Sequence, residues 1–187
     1  MKTFQELSCI NFLCILDEEH FLIAVGSKIN CWNIKKGKIY SLEFHSNKVQ
    51  KIIKLKKNII ASCGFDGKIV IYDLDEQSII FQFTTSNTFI RDFIIVNDYY
   101  VSCGDEGFIN IDKFKKISQS NSVIQVGSPV NKIISDGRII VAIGKKIHLF
   151  DFKTEKLIKE IDAHEGSVED VIFYGDLFVT FSLLKNF

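Results

Sequence analysis

The stretch Ser62-Cys63-Gly64-Phe65-Asp66-Gly67-Lys68-Ile69 decides the interpretation of this sequence, because a close copy of it follows further along the chain. The copy reads Ser102-Cys103-Gly104-Asp105-Glu106-Gly107-Phe108-Ile109. Shorter versions surround Gly26 and Gly144, so that the four glycines are spaced by 38, 40 and 40 residues. A fixed period of this length indicates a repeat protein, in which each period is one supersecondary unit.

Each period is predicted to contain four short β-strands joined by tight turns. Two apolar segments precede the glycine, as in residues 49–55 and 58–62, and another short segment closes the period, as in 78–83. The Ile-rich segments after the glycines alternate with period two, which favours strands over helices; they are residues 29–34, 69–74, 109–114 and 147–152. The predicted fold class is therefore all-β, a β-propeller of four-stranded antiparallel blades.

The composition is that of a folded domain without net charge. Hydrophobic residues make up 47% of the 187 residues, and 23 Lys and Arg balance 23 Asp and Glu. No global field therefore attracts nucleic acid or anionic lipid, so any such binding requires a local patch. No apolar stretch approaches the roughly 18 residues that a membrane-spanning helix needs, so we expect no membrane span.

The cysteines favour a reducing compartment. There are five of them, an odd number, without a CxxC pair and within apolar runs, which is typical of reduced core thiols; they are Cys9, Cys14, Cys31, Cys63 and Cys103. The N-terminal region lacks the small-residue cleavage site of a signal peptide. We therefore expect a cytoplasmic or nuclear protein.

Two patterns that could suggest chemistry have a structural interpretation. The turns 64–67 and 104–107 lack the Gly-Lys-Ser/Thr ending of a phosphate loop, and they precede strands rather than helices. The four histidines have no spacing to cysteines or carboxylates that is typical of zinc ligands. We expect no catalytic residue, no cofactor and no metal, and hence a protein that is not an enzyme.

The second repeat resembles the WD-repeat family of β-propellers. The matching residues are His45 with Val49 four residues later, Ser62, Asp66-Gly67 and Ile69-Val70-Ile71-Tyr72-Asp73. They are similar to the Gly-His, Ser-Gly, Asp-Gly and Trp-Asp positions of that family, with Tyr72 in place of Trp. The third repeat departs most from the pattern, because Asp112 stands where the aromatic residue belongs.

The resemblance implies that four residues of this repeat form a hydrogen-bonded structural tetrad: His45, Ser62, Asp66 and Tyr72. Burial of an imidazole, a hydroxyl and a carboxylate costs little only when these groups satisfy one another. A Ser, a His and an Asp in one repeat could also suggest a hydrolytic triad. The family pattern explains all three positions without catalysis, and we therefore expect a structural role for them.

The resemblance covers nearly the whole chain and predicts one propeller domain over residues 1–187. The repeats are approximately 8–44, 45–83, 84–125 and 126–161, with a partial repeat at 162–187. At about 4.7 repeats the ring would be incomplete, since propellers of this kind usually close with more blades. The chain would be a piece of a longer propeller, would need another chain to close, or would form a small ring of its own. Aligning Val168 with Val49 places Leu183 where the repeat glycine is expected.

The resemblance implies a non-catalytic protein–protein interaction scaffold or adaptor subunit of a multiprotein complex. The alternative is an RNA-associated accessory subunit, in ribosome assembly or tRNA modification, which would use a lysine-bearing face for anion contact. That face collects the connections between first and second and between third and fourth strands; its lysines are Lys35, Lys36, Lys38, Lys56, Lys57, Lys113, Lys115 and Lys116. An enzyme built on a propeller is a third hypothesis, disfavoured because no convergent acid, base or metal set is evident.

Overall fold

The computed structural model describes residues 9–85, 88–113, 122–175 and 177–182. Within them all regular structure is β-strand, arranged in four antiparallel sheets of four strands and one of two strands. Each sheet is built from strands that follow one another in the chain, and none of the five is closed on itself. The predicted fold class, all-β with four-stranded antiparallel blades, is confirmed, and this number of strands is consistent with an incomplete propeller.

The first sheet contains β1 (Ile10–Ile15), β2 (His20–Val25), β3 (Lys28–Asn33) and β4 (Gly37–Leu42). The second contains β5 (Val49–Lys56), β6 (Ile59–Gly64), β7 (Lys68–Asp73) and β8 (Ser78–Thr84). The third contains β9 (Ile90–Val96), β10 (Tyr99–Gly104), β11 (Phe108–Lys113) and β12 (Ser122–Gln125). The fourth contains β13 (Val130–Ser135), β14 (Ile139–Gly144), β15 (Ile147–Asp151) and β16 (Leu157–Ile161), and the fifth β17 (Val168–Tyr174) and β18 (Leu177–Ser182).

The chain divides into two compact units, residues 1–85 and residues 86–187. In the first unit, one face of the first sheet packs on one face of the second. Leu22 and Cys31, which lie opposite each other on β2 and β3, share a buried cluster with Ile52 and Ile60 of the second sheet. Burying a side chain of this size stabilises the fold by about 2 kcal/mol, so this contact is a major source of the unit's stability.

The second unit repeats this sheet-on-sheet contact twice. Val101 and Ile109 of the third sheet share a buried cluster with Ile133 and Ile140 of the fourth. The opposite face of the fourth sheet, which includes Val141 and Ile143, packs on Val168 and Val171 of the fifth. In all three contacts a sheet therefore uses one face to cover the next sheet in the chain. Whether the two units belong to one propeller domain stays a prediction.

Two of the repeat glycines, Gly64 and Gly144, are required by a close backbone approach. Gly64, Gly104 and Gly144 each end the second strand of their sheet and pair with the first residue of its first strand. A Cβ at Gly64 would lie 2.7 Å from the carbonyl oxygen of Lys48, closer than any side chain tolerates. Gly26 differs, because it lies one residue beyond β2 in a turn with φ of 57°. Val25 occupies the register position of the other three glycines, so the expected equivalence of Gly26 is wrong.

The alignment of the last repeat also needs a correction. Val168 pairs with Ser182 as Val49 pairs with Gly64, so Ser182 holds the glycine position in the fifth sheet. Leu183, to which the sequence alignment gave this place, lies outside the described residues. The difference arises because the β5–β6 hairpin contains an irregularity between Lys54 and Lys56 that the β17–β18 hairpin lacks.

Candidate functional site

A buried hydrogen-bonded chain connects three of the four predicted tetrad residues. His45 lies in the loop between β4 and β5, Ser62 lies in β6, and Asp66 lies in the turn between β6 and β7. The Nδ1 atom of His45 is 3.0 Å from each carboxylate oxygen of Asp66, and its Nε2 atom is 2.8 Å from the hydroxyl oxygen of Ser62. Because a carboxylate only accepts hydrogen bonds, the Nδ1–H of His45 is the donor to Asp66, and its Nε2 is hydrogen-bonded to the Ser62 hydroxyl.

Asp66 also holds the backbone around it. Its carboxylate accepts hydrogen bonds from the amides of Ser46, at 3.0 Å, and Lys68, at 3.3 Å. Burial would raise the pKa of Asp66, but the hydrogen bonds from His45 and from these two amides outweigh burial, so the pKa lies below its ordinary value. The network thereby joins the loop before the second sheet to the turn between its two central strands.

Tyr72, the fourth predicted tetrad residue, is placed beside the other three by packing. It lies on β7 directly opposite Ile60, on the same face as Ser62. Its ring stacks on Phe44 with the ring centroids 5.2 Å apart, and the Phe44 ring lies 5.3 Å from that of His45. The structure thus brings His45, Ser62 and Asp66 together by hydrogen bonds and Tyr72 by aromatic contact.

The connectivity Asp66–His45–Ser62 is that of a hydrolytic triad, and the burial of its members decides what it can do. A triad needs its hydroxyl open to a substrate carbonyl. Ser62 is 0% exposed, and the side chains of His45 and Asp66 are 0% and 3% exposed. A closed network with every member satisfied rigidifies a fold, and this burial favours a structural role over an acyl-transfer site.

The fifth sheet contains a partial version of the same network. The Nε2 atom of His164 lies 3.0 Å from the hydroxyl oxygen of Thr180. Thr180 pairs with Val171 as Ser62 pairs with Ile52, so the two hydroxyls hold equivalent positions. The spacing of His164 to Val168 identified this histidine in the sequence. Thr180 was not identified, because the β17–β18 hairpin is one residue shorter than the β5–β6 hairpin.

The third sheet carries buried polar groups that sequence reasoning did not identify as a cluster. Ser102 lies opposite Asn110, and Asp112 lies opposite Tyr100, on one face of β10 and β11. Ser102, Asn110 and Asp112 are 0%, 2% and 4% exposed, and each has an atom without a hydrogen-bond partner among the described residues: Ser102 Oγ, Asn110 Nδ2 and Asp112 Oδ1. Burial raises the pKa of Asp112 to about 6. Ser102 and Asp112 of this sheet therefore hold the positions of Ser62 and Tyr72, but the described residues do not complete a network around them.

The lysines of the predicted anion-contact face have different environments. Lys35 pairs with Glu19, and this contact is the main cause of a pKa of Glu19 below its ordinary value. The Lys113 ammonium lies 5.5 Å from the centre of the Tyr99 ring. Four others are exposed and make no ion pair with the residues that the structure describes: Lys36, Lys38, Lys56 and Lys57. Lys115 and Lys116 lie outside the described residues.

Acidic turns stand on the same side of the first unit as Lys35, Lys36 and Lys57. The Lys54 ammonium donates to the carbonyl of Leu16, which brings the β5–β6 end of the second sheet to the β1–β2 turn of the first. The turns on this side, which we call the charged turn surface, are 16–19, 34–36, 57–58 and 74–77. The first and last carry acids, including Glu18 and Glu76, whereas the two between them carry lysines. The charged turn surface is therefore mixed in sign rather than uniformly positive.

A scan against protein-family models finds no match for this chain, and no curated protein matches it. Over the described ranges, no helix is long and apolar enough to cross a membrane. Within the same ranges, no group of three or more His, Cys, Asp or Glu side chains could hold a metal ion. Cys14, Cys31, Cys63 and Cys103 are buried as predicted and form no disulfide among the described residues, whereas Cys9 is exposed, contrary to its predicted place in the core.

Proposed function

We propose that this chain is a WD-repeat-like β-propeller domain, part of an incomplete ring, that serves as a non-catalytic protein–protein interaction scaffold or adaptor subunit. The observation that carries the proposal is the closed network of His45, Ser62 and Asp66 at the motif positions of the second repeat. A fold that fixes its loops in this way displays varied turn residues from a stable framework, which suits the binding of other proteins. The cytoplasm or nucleus is the proposed location.

The charged turn surface supports binding of proteins better than binding of nucleic acid. Its exposed lysines alternate with acids, so a partner with matching charges of both signs would be held in one orientation. Nucleic acid presents only negative charge and would be repelled by Glu18 and Glu76. Electrostatic complementarity of this kind contributes to specificity and association rate more than to affinity, which is what an adaptor requires.

The experiment is affinity capture of the tagged chain from its native cells after mild cross-linking, with two surface variants beside it. Lys36→Glu combined with Lys57→Glu changes the charged turn surface, whereas Lys159→Glu reverses a lysine of β16 and serves as the control. We expect a stoichiometric protein partner that the control retains and the double variant loses. Absence of any stoichiometric protein partner would contradict the scaffold proposal.

The RNA-associated alternative is favoured by one observation, the four exposed lysines that make no ion pair with any residue that the structure describes. Its test is the binding of a single-stranded RNA to the purified chain at increasing salt. A protein that neutralises several phosphates loses affinity steeply as salt rises, with a slope close to the number of phosphates contacted. A steep salt slope that Lys36→Glu with Lys57→Glu reduces would favour this alternative over the protein scaffold.

A further inference from the structure

The β17–β18 outer face is a row of large apolar side chains open to solvent. It consists of Ile172, Tyr174, Leu177, Val179 and Phe181, which are 58%, 74%, 68%, 54% and 56% exposed. The register places these residues on one side of the hairpin, since Ile172 pairs with Val179 and Tyr174 with Leu177. The other side, with Val168 and Val171, is buried against the fourth sheet. A contiguous apolar patch of this kind marks an interaction site on a soluble protein.

In each of the three sheet-on-sheet contacts inside the chain, the sheet that comes first in the sequence covers the next sheet with one of its two faces. The β17–β18 outer face corresponds to this covering face. In the first sheet the corresponding residues are Leu16, Leu22 and Ala24, which contact Ile52, Ile60 and Tyr72 of the second sheet. By register, Val179 of the fifth sheet takes the place of Leu22, because each lies in the second strand one residue before the position equivalent to Ser62, which Thr180 holds in the fifth sheet and Ile23 in the first. The β17–β18 outer face therefore matches a face of the kind that the second sheet presents to the first, with Ile52, Ile60 and Tyr72.

The β1–β4 outer face is of the same kind as this face of the second sheet. It includes Leu13, Ile15, Phe21 and Trp32, which hold the register positions of Ile52, Lys54, Ile60 and Tyr72 in the second sheet. Leu13 and Ile15 are 52% and 68% exposed, and with Phe21 and Ile34 they line a depression of about 270 Å³. Both halves of the sheet-on-sheet contact that recurs inside the chain thus occur once more, and no other sheet of the described residues covers either of them.

Electrostatics does not oppose the pairing of these two faces. Asp170, which borders the β17–β18 outer face by its register with Phe181, pairs with Lys132. In the contact between the first two sheets, Lys54 meets the turn at Leu16, so the equivalent contact would bring Ile15 to the turn at Tyr174. Tyr174 would then present its hydroxyl donor to the acidic rim of the depression, formed by Asp17, Glu18 and Glu19.

We infer that this chain associates head to tail with a second copy, with the β17–β18 outer face of one copy packed on the β1–β4 outer face of the other. Val179 and Tyr174 contact Leu13 and Phe21 of the second copy. The two faces differ, so the contact is heterologous, and each added copy again leaves one face of each kind free. Association therefore continues beyond a dimer unless the rotation closes a ring.

The test is the weight-average molar mass of the purified chain by light scattering at increasing concentration. The wild-type mass should rise from that of one 21.4 kDa chain to more than twice this value. Val179→Lys and Leu13→Lys each place a charge in one of the two faces, and each variant alone should stay monomeric. Ile158→Lys changes an exposed residue of β16 outside both faces and should associate like the wild type.

A mixture of the two single variants distinguishes this contact from any other. A Val179→Lys chain retains an intact β1–β4 outer face, and a Leu13→Lys chain retains an intact β17–β18 outer face, so an equal mixture should form heterodimers and stop there. A wild type that is monomeric at every concentration, a Leu13→Lys variant that still dimerises, or a mixture that stays monomeric would each overturn the inference. Circular dichroism checks the folding of each variant, and Val179→Ser replaces Val179→Lys where the latter does not fold.

Discussion

The second and third sheets contain polar residues at equivalent positions but differ in how these residues are satisfied. In the second sheet, Ser62 is hydrogen-bonded to His45, which is hydrogen-bonded to Asp66. In the third sheet, Ser102 holds the position of Ser62, and its hydroxyl has no partner among the described residues. The comparison teaches that a repeat position fixes where a polar group lies, whereas the loops around it decide whether burial of that group stabilises or destabilises the fold.

The central pair of each sheet shows the same contrast. Ile60 faces Tyr72 in the second sheet and Ile140 faces Phe150 in the fourth, so an aromatic ring fills the place on the third strand. In the third sheet the aromatic residue is on the second strand instead, with Tyr100 opposite Asp112. Asp112 is thereby a buried carboxyl in a position that the second and fourth sheets fill with an aromatic ring.

The largest expected effect is loss of the second-sheet network in Asp66→Ala. The change leaves His45 Nδ1–H and the amide of Ser46 without their acceptor, and it should lower the free energy of unfolding by about 3 kcal/mol. Urea denaturation monitored by circular dichroism measures it. Glu18→Ala, which removes an exposed acid of the β1–β2 turn, should leave the midpoint unchanged, and an equally unchanged midpoint in Asp66→Ala would refute the network.

In the third sheet, Asp112→Asn should raise the free energy of unfolding, whereas Asp66→Ala lowers it. The amide side chain has nearly the same size and carries no charge, so the cost of burying a carboxylate at pH 7 disappears. From a folded pKa of about 6 against an ordinary 3.8, the free energy of unfolding at pH 7 should rise by up to about 3 kcal/mol. Chemical denaturation at pH 7 checks this, and a lower stability would mean that Asp112 makes a favourable interaction as a carboxylate.

The two serines provide the smallest and best-matched test. Ser62→Ala removes the partner of His45 Nε2 and should cost about 1 kcal/mol, whereas Ser102→Ala removes a hydroxyl without a partner in the described part of the chain and should be neutral or slightly stabilising. Both residues are fully buried and hold the same register position, so a difference in burial does not contribute to the comparison of the two variants. Equal effects of the two substitutions would show that the hydrogen bond between Ser62 and His45 does not contribute to the free energy of unfolding.

Much of the fold follows from the sequence. The spacing of Gly64, Gly104 and Gly144 and the alternating Ile-rich segments predict the four-stranded repeat and place most strands within one or two residues of their observed ends. The equivalence of Gly26 failed, because glycines are favoured both at a close approach and in a turn with positive φ, and spacing alone does not separate the two causes. Leu183 was misaligned because a single bulge shifts the register.

The candidate site was predictable where a local motif defines it. The partners His45, Ser62 and Asp66 follow from the resemblance of one repeat to a family pattern. The contact of Tyr72 with Phe44 did not follow, because it depends on how the ring of a residue outside the motif packs. The pairing of Lys35 with Glu19 also depends on two turns that are adjacent only in the folded chain, and it reduces the positive charge that the lysines alone suggest.

The pH dependence of unfolding tests the comparison of the two sheets most directly, with the wild type, Asp66→Asn and Asp112→Asn measured in urea between pH 3 and pH 8. The folded pKa of Asp66 is lowered, so its contribution is present above the ordinary value of 3.8 and is lost as the pH falls through the folded pKa. The folded pKa of Asp112 is raised, so the wild type loses stability as the pH rises from 3.8 to about 6. We predict that the deficit of Asp66→Asn shrinks in acid and that the advantage of Asp112→Asn opens between pH 4 and about 6 and is constant above that range. Differences from the wild type that do not change with pH in either variant would contradict the account.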